Sequence, residues 1–113
     1  MLVFYSKSEG KPDVPCESPV DLPVENVLEI FRKLNPRSGF LGINLKESFV
    51  LQMLPGKKGI RIELLDSSIP AIDYFEGTEE ALSEELIIAA GNGDDVFKIA
   101  RQKLLAWKHL NLS

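Results

Sequence analysis

The sequence predicts an α+β domain: a curled antiparallel sheet of four to five strands with helices packed on one face. Three observations carry this. Residues 24–34 repeat apolar side chains at helical spacing, residues 40–75 alternate apolar and polar ones at strand spacing, and residues 78–109 return to helical spacing. With 113 residues there is room for one domain, taken as 1–113, and 44% hydrophobic with 27% charged side chains is ordinary globular composition.

Leu2 to Tyr5 favours β structure and reads as an edge strand. An irregular arm is expected up to residue 22, because prolines at 12, 15, 19 and 23 remove backbone donors and bias their predecessors toward extended conformations. Pro23 suits the first helical position, where its missing N–H costs nothing. Val24, Val27, Leu28, Phe31 and Leu34 then share one helical face, with Glu25, Glu29, Arg32 and Lys33 outside. The early acids and late cations complement the helix dipole. Asn35-Pro36-Arg37-Ser38-Gly39 ends this helix.

In Phe40 to Leu45, residues Leu41, Ile43 and Leu45 point one way, and Lys46-Glu47 reads as a turn. Ser48 to Leu54 sends Phe49, Leu51 and Met53 inward and Ser48 and Gln52 outward. Pro55 to Gly59 is read as a loop. Ile60, Ile62 and Leu64 then face inward, with Arg61 and Glu63 outward. A last strand from Ile69 to Phe75 carries Pro70, which predicts an edge position. Tyr74, on the same side of it as Ile72, is expected to turn its ring inward.

Thr78 to Ala90 reads as a helix, with a buried strand over 83–90 as the competing reading because of Ile87-Ile88. Gly91-Asn92-Gly93 breaks the pattern, and Asp94 is the expected N-cap of a final helix. On that helix Val96, Phe97, Ala100, Leu104 and Trp107 share one face, opposite Lys98, Arg101, Gln102, Lys108 and His109.

Thirteen Lys and Arg against seventeen Asp and Glu give a net charge of −4. Nucleic acid is a poor partner for such a chain, since phosphate binding needs clustered cations. The basic groups at 32–37, 57–61 and 98–108 do not interleave with aromatics as a base-stacking platform would. No apolar run approaches the ~18 residues that span a bilayer, so no membrane partner is expected. The single Cys16 makes no internal disulfide, and the first residues lack a basic leader. A cytoplasmic location is therefore expected.

Reactive groups are few. Cys16 and His109 would have to form any Cys–His nucleophile, and nothing near Cys16 in sequence lowers its pKa. No metal spacing and no phosphate loop is present, so no cofactor or metal is expected. Asp94 and Asp95 would repel an anion placed at Gly91-Asn92-Gly93. Two surfaces remain. Glu76, Glu79, Glu80, Glu84 and Glu85 form an acidic cluster able to steer a basic partner. Gln52, Arg61, Glu63, Asn44 and Asp73 are expected side by side on the open sheet face. Trp107 reads as core.

The chain resembles small bacterial α+β proteins of the polymorphic-toxin immunity type over residues 24–110. The likeness rests on a helix before a strand, Phe49-Val50-Leu51-Gln52, a strand carrying Glu63, Asp73-Tyr74, the Gly93-Asp94 step and Trp107. It departs from them at Leu64-Leu65 and Pro70. The resemblance implies a non-enzymatic protein that binds another protein, in that setting a toxin. Gln52, Arg61, Glu63, Asp73, Glu79, Glu80 and Glu84 are the partner-binding residues expected on this reading. Two alternatives stand beside it: an enzyme using the carboxylates of Glu63 and Asp73, and a module that pairs with its own copy through the Leu2–Tyr5 or Ile69–Phe75 edge.

Overall fold

The computed structural model describes residues 1–8, 10, 12–46, 48–69, 71–103 and 107–111. In chain order these form β1 (Leu2–Ser6), β2 (Val20–Asp21), α1 (Val24–Arg32), β3 (Phe40–Asn44), β4 (Phe49–Gly56), β5 (Gly59–Asp66), β6 (Ala71–Thr78), α2 (Glu80–Gly91), α3 (Val96–Lys103) and β7 (Lys108–Asn111). The fold is α+β, with three helices and an open antiparallel sheet of seven strands among the described residues, in the order β2-β1-β3-β4-β5-β6-β7. Four to five strands undercounts it. The two extra strands are the shortest, β2 and β7, which hold too few residues to show an alternation.

Both expected edges are corrected. β1 lies between β2 and β3, and β6 lies between β5 and β7. Pro70 itself falls outside the described residues. The strand after it begins at Ala71. Trp107, Lys108 and His109 leave the helix expected for them: α3 stops at Lys103, and Lys108 and His109 pair with Tyr74 and Asp73, while Leu104 lies outside the described residues. Local spacing favoured a helix there, but the exposed residues of β7 gain a ladder of hydrogen bonds by pairing with half-buried β6.

Register sorts the side chains into two faces. On the inner face run Val3–Ile43–Leu51–Leu64 and Tyr5–Leu41–Met53–Ile62–Phe75, each residue opposite the next across a strand pair. Most of these join one core with Val27 and Phe31 of α1, Leu86, Ile87 and Ala89 of α2, and Val96 and Ala100 of α3. Burying a Leu or Ile there stabilises the fold by about 1.5–3 kcal/mol per side chain. Helix wins at 83–90 because Leu86, Ile87 and Ala89 meet this core within α2.

The local devices differ in detail from the sequence reading. Pro23 is the extended N-cap residue of α1, not its first helical residue, and its carbonyl accepts from Asn26 and Val27 N–H. Gly56 and Gly59 pair with each other, so the expected five-residue loop is a tight turn at Lys57-Lys58; Gly59 takes a φ of 121°. Asp95, not Asp94, caps α3: its Oδ1 accepts the Lys98 N–H at 3.1 Å. Trp107 lies beyond α3, half-buried, its ring centroid 6.1 Å from that of Phe75. Among the described residues no helix is long and apolar enough to cross a membrane.

Candidate functional site

The face of the sheet turned away from the helices carries two cross-strand rows. One runs Asp21–Leu2–Asn44–Val50–Leu65–Ile72–Leu110 across all seven strands. The other runs Phe4–Gly42–Gln52–Glu63–Tyr74–Lys108. None of these side chains belongs to the cluster that joins the helices. Leu2 and Leu110 are 45% and 43% exposed, Val50, Leu65 and Ile72 between them are half-buried, and Asn44 separates Leu2 from Val50. Val50, Leu65, Ile72 and Leu110 thus form a contiguous apolar stretch across β4 to β7 on the face without helices.

A polar group stands beside this row. Glu63 is buried, and both of its oxygens are engaged: Gln52 Nε2 donates to Oε1 at 3.3 Å, and an Arg61 terminal nitrogen meets Oε2 at 2.9 Å. The other terminal nitrogen of Arg61 lies 3.4 Å from Glu76 Oε1, and the guanidinium carbon sits 3.9 Å above the centre of the Tyr74 ring. A β-bulge sets this up. Ile62 pairs with Phe75 and Ile60 with Thr78, so Glu76 and Gly77 together face Arg61. Glu76 faces outward in step with Tyr74, and the extra residue returns Thr78 to the buried side, where it is 3% exposed.

Gln52, Arg61 and Glu63 therefore stand together as expected, and Asn44 shares their face. Asp73 does not. It sits opposite Leu64, which is 3% exposed in the core, so it lies on the helix side of the sheet. There its carboxylate meets Arg101 of α3 at 2.5 Å and accepts the His109 Nδ1–H at 2.7 Å. The sheet separates Glu63 from Asp73, and the two carboxylates cannot act on one substrate. Tyr74 and Ile72 are also corrected: both face outward, because they alternate with Asp73.

The acidic cluster is divided by ion pairs. Glu84 pairs with Arg32 at 2.5 Å, Glu85 with Lys103 at 2.7 Å, and Glu76 belongs to the Arg61 group. Glu79 and Glu80 remain exposed at the start of α2, where negative charge suits the helix dipole. The contacts of Tyr74 and Glu76 with Arg61, and the apolar row, escaped the sequence reading. Alternation placed each residue on a face, but only strand order could bring residues 2, 50, 65, 72 and 110 into line.

The Asp73 carboxyl is held below the usual range, first by the His109 hydrogen bond and then by Arg101, against a desolvation that raises it. A depressed native pKa means that this carboxylate stabilises the fold above the unfolded-state value and loses that effect as pH falls. Asp73→Asn is thus expected to destabilise near neutral pH, with the difference from wild type shrinking between roughly pH 5 and pH 2. Urea unfolding of both chains across that range measures it; a difference that grows on acidification contradicts the assignment.

Among the described residues no group of three or more His, Cys, Asp or Glu side chains is gathered as metal ligands would be. No protein-family model, curated protein or solved structure matches this chain.

Proposed function

We propose that this chain is a non-enzymatic protein-binding domain, immunity-like in its action, that occludes a basic protein partner seated on the outer face of its sheet. Leu2, Val50, Leu65, Ile72 and Leu110 carry this reading, because they stand in one cross-strand row from β1 to β7 on the face without helices, interrupted at β3 by Asn44. Burying such a row supplies non-directional affinity, while the neighbouring Arg61–Glu63–Glu76 group with Gln52 and Tyr74 presents a prepaid, rigid polar rim. The net charge of −4, with Glu79 and Glu80 exposed, favours encounter with a cationic protein. The resemblance to toxin-immunity proteins points the same way, and a toxin is the partner it suggests.

The test is reciprocal co-purification with the products of adjacent genes at about 0.05 M and 0.5 M salt, where the Debye length shrinks about threefold. A basic protein retained by the wild-type chain, more weakly at high salt, is the expected result. Ile72→Arg places a charge in the middle of the row without touching the core, and it is expected to weaken capture by about a hundredfold, or roughly 2.7 kcal/mol. Capture of none of these products, or equal capture by the Ile72→Arg chain, overturns the reading.

A further inference from the structure

Asn44, which interrupts the outer apolar row, also lines a cleft of about 690 Å³ at the same end of the sheet, between the β3–β4 connection and the link from α2 to α3. Its walls are apolar: Leu45, Phe49, Ala90 and Phe97 line it, and the Phe49 and Phe97 rings meet edge to face at 4.9 Å. All four are half-buried. Asp94 and Asp95 line the same cleft and are exposed. No ion pair is formed by either among the described residues.

The electrostatics of the cleft have a definite sign. α2 ends here at Gly91 with no basic residue in its last turn, so the negative end of its dipole is not answered within the helix. Asp95 is committed to the first turn of α3 through its bond to Lys98 N–H, which offsets the positive end of that helix. Asp94 is left over. On the positive side stand Lys46, which lines the cleft, the Met1 ammonium, which Asp21 neutralises at 2.8 Å, and Arg101, which lies 5.7 Å over the Phe97 ring and is paired with Asp73. An apolar floor with a net negative mouth fits one kind of side chain, a long alkyl stem that ends in a cation.

We infer that this cleft receives a basic anchor of the protein partner, an arginine or lysine side chain together with its apolar neighbour. The inference rests on the protein-binding reading and extends it by naming what the partner inserts. The stem packs on Leu45 and Ala90, the cation lies against Phe49, since Arg101 already stands 5.7 Å over the Phe97 ring, and Asp94 and Asp95 complete its charge.

The experiment is an amide-shift titration of the labelled full-length chain with N-acetyl-Leu-Arg-amide, run beside N-acetyl-Leu-Glu-amide. Saturable shifts are expected with the arginine dipeptide at Leu45, Phe49 and Gly93 to Phe97. The Asp94→Asn/Asp95→Asn chain is expected to bind it about tenfold more weakly. Asparagine still caps a helix, so α3 is retained in that variant, and a thermal melt verifies it. The inference is overturned by absent or non-saturating shifts, by equal shifts with the glutamate dipeptide, or by undiminished binding in the double variant. The Ile72→Arg chain is expected to bind the dipeptide like wild type. A silent titration with partner capture intact thus removes the cleft alone, and capture that survives Ile72→Arg removes the outer-face reading alone.

Discussion

Replacing Gly42 with valine is expected to destabilise the fold by about 3 kcal/mol, the upper part of the range for overpacked sites. A Cβ built at Gly42 would stand 2.0 Å from the Phe4 ring, far inside contact distance. Phe4 and Gly42 are direct cross-strand partners of β1 and β3, and Phe4 is 8% exposed, so its ring has little freedom to leave. Phe4 also packs at 6.3 Å on Phe40, which limits the alternative positions. Glycine at 42 is thus required by close approach and not by its backbone conformation. Urea unfolding of the valine variant measures the effect. Combining it with Phe4→Ala is expected to show a favourable coupling of at least about 1 kcal/mol, because the smaller side chain removes the clash. A single-variant loss below about 0.5 kcal/mol, or additive losses in the pair, contradicts this account.

The second large effect is expected at Arg61. Its guanidinium bridges Glu63 and Glu76 and covers Tyr74, with the Arg61 and Glu63 side chains 24% and 10% exposed. Arg61→Met keeps the stem and removes the charge, leaving two carboxylates near each other and one of them buried. Breaking a fully buried pair costs about 3–5 kcal/mol, and the partial exposure here lowers the expected loss to about 2–3 kcal/mol. Replacing both Arg61 and Glu63 by leucine is expected to recover most of this, since no buried charge then lacks a partner. Denaturant unfolding of the three chains separates the cases. A loss below about 0.5 kcal/mol in Arg61→Met would mark the group as an ordinary solvated surface pair. The same group lies beside the apolar row, so the double-leucine chain also asks whether a partner reads the charges or only that row.

Much of the fold was legible where one element's own period reported its burial. The α1 stripe of Val27 and Phe31, the inward Leu41, Ile43, Leu51, Met53, Ile62 and Leu64, and the α2 helix follow from spacing, since each face meets the core directly. The polar site was half legible. Gln52, Arg61 and Glu63 alternate outward in neighbouring strands and do meet. Asp73 was misplaced because the pairing of β5 with β6 sets Leu64, not Glu63, against it, and a one-residue difference in register moves a side chain to the other face. Thr78 could not be assigned from alternation, because the bulge interrupts the period between it and Glu76.

Taken alone, the amino-acid order determined the class of the domain, its single core and the facing of most strand residues. These depend on local periodicity, which hydrophobic burial reads one element at a time. Strand order, the two short edges, the fate of residues 108–111 and the straight apolar row were decided only in three dimensions. Each of them is a relation between segments far apart in the chain. No local pattern encodes which strand lies beside which, because that choice depends on the hydrogen bonds and packing of the whole sheet.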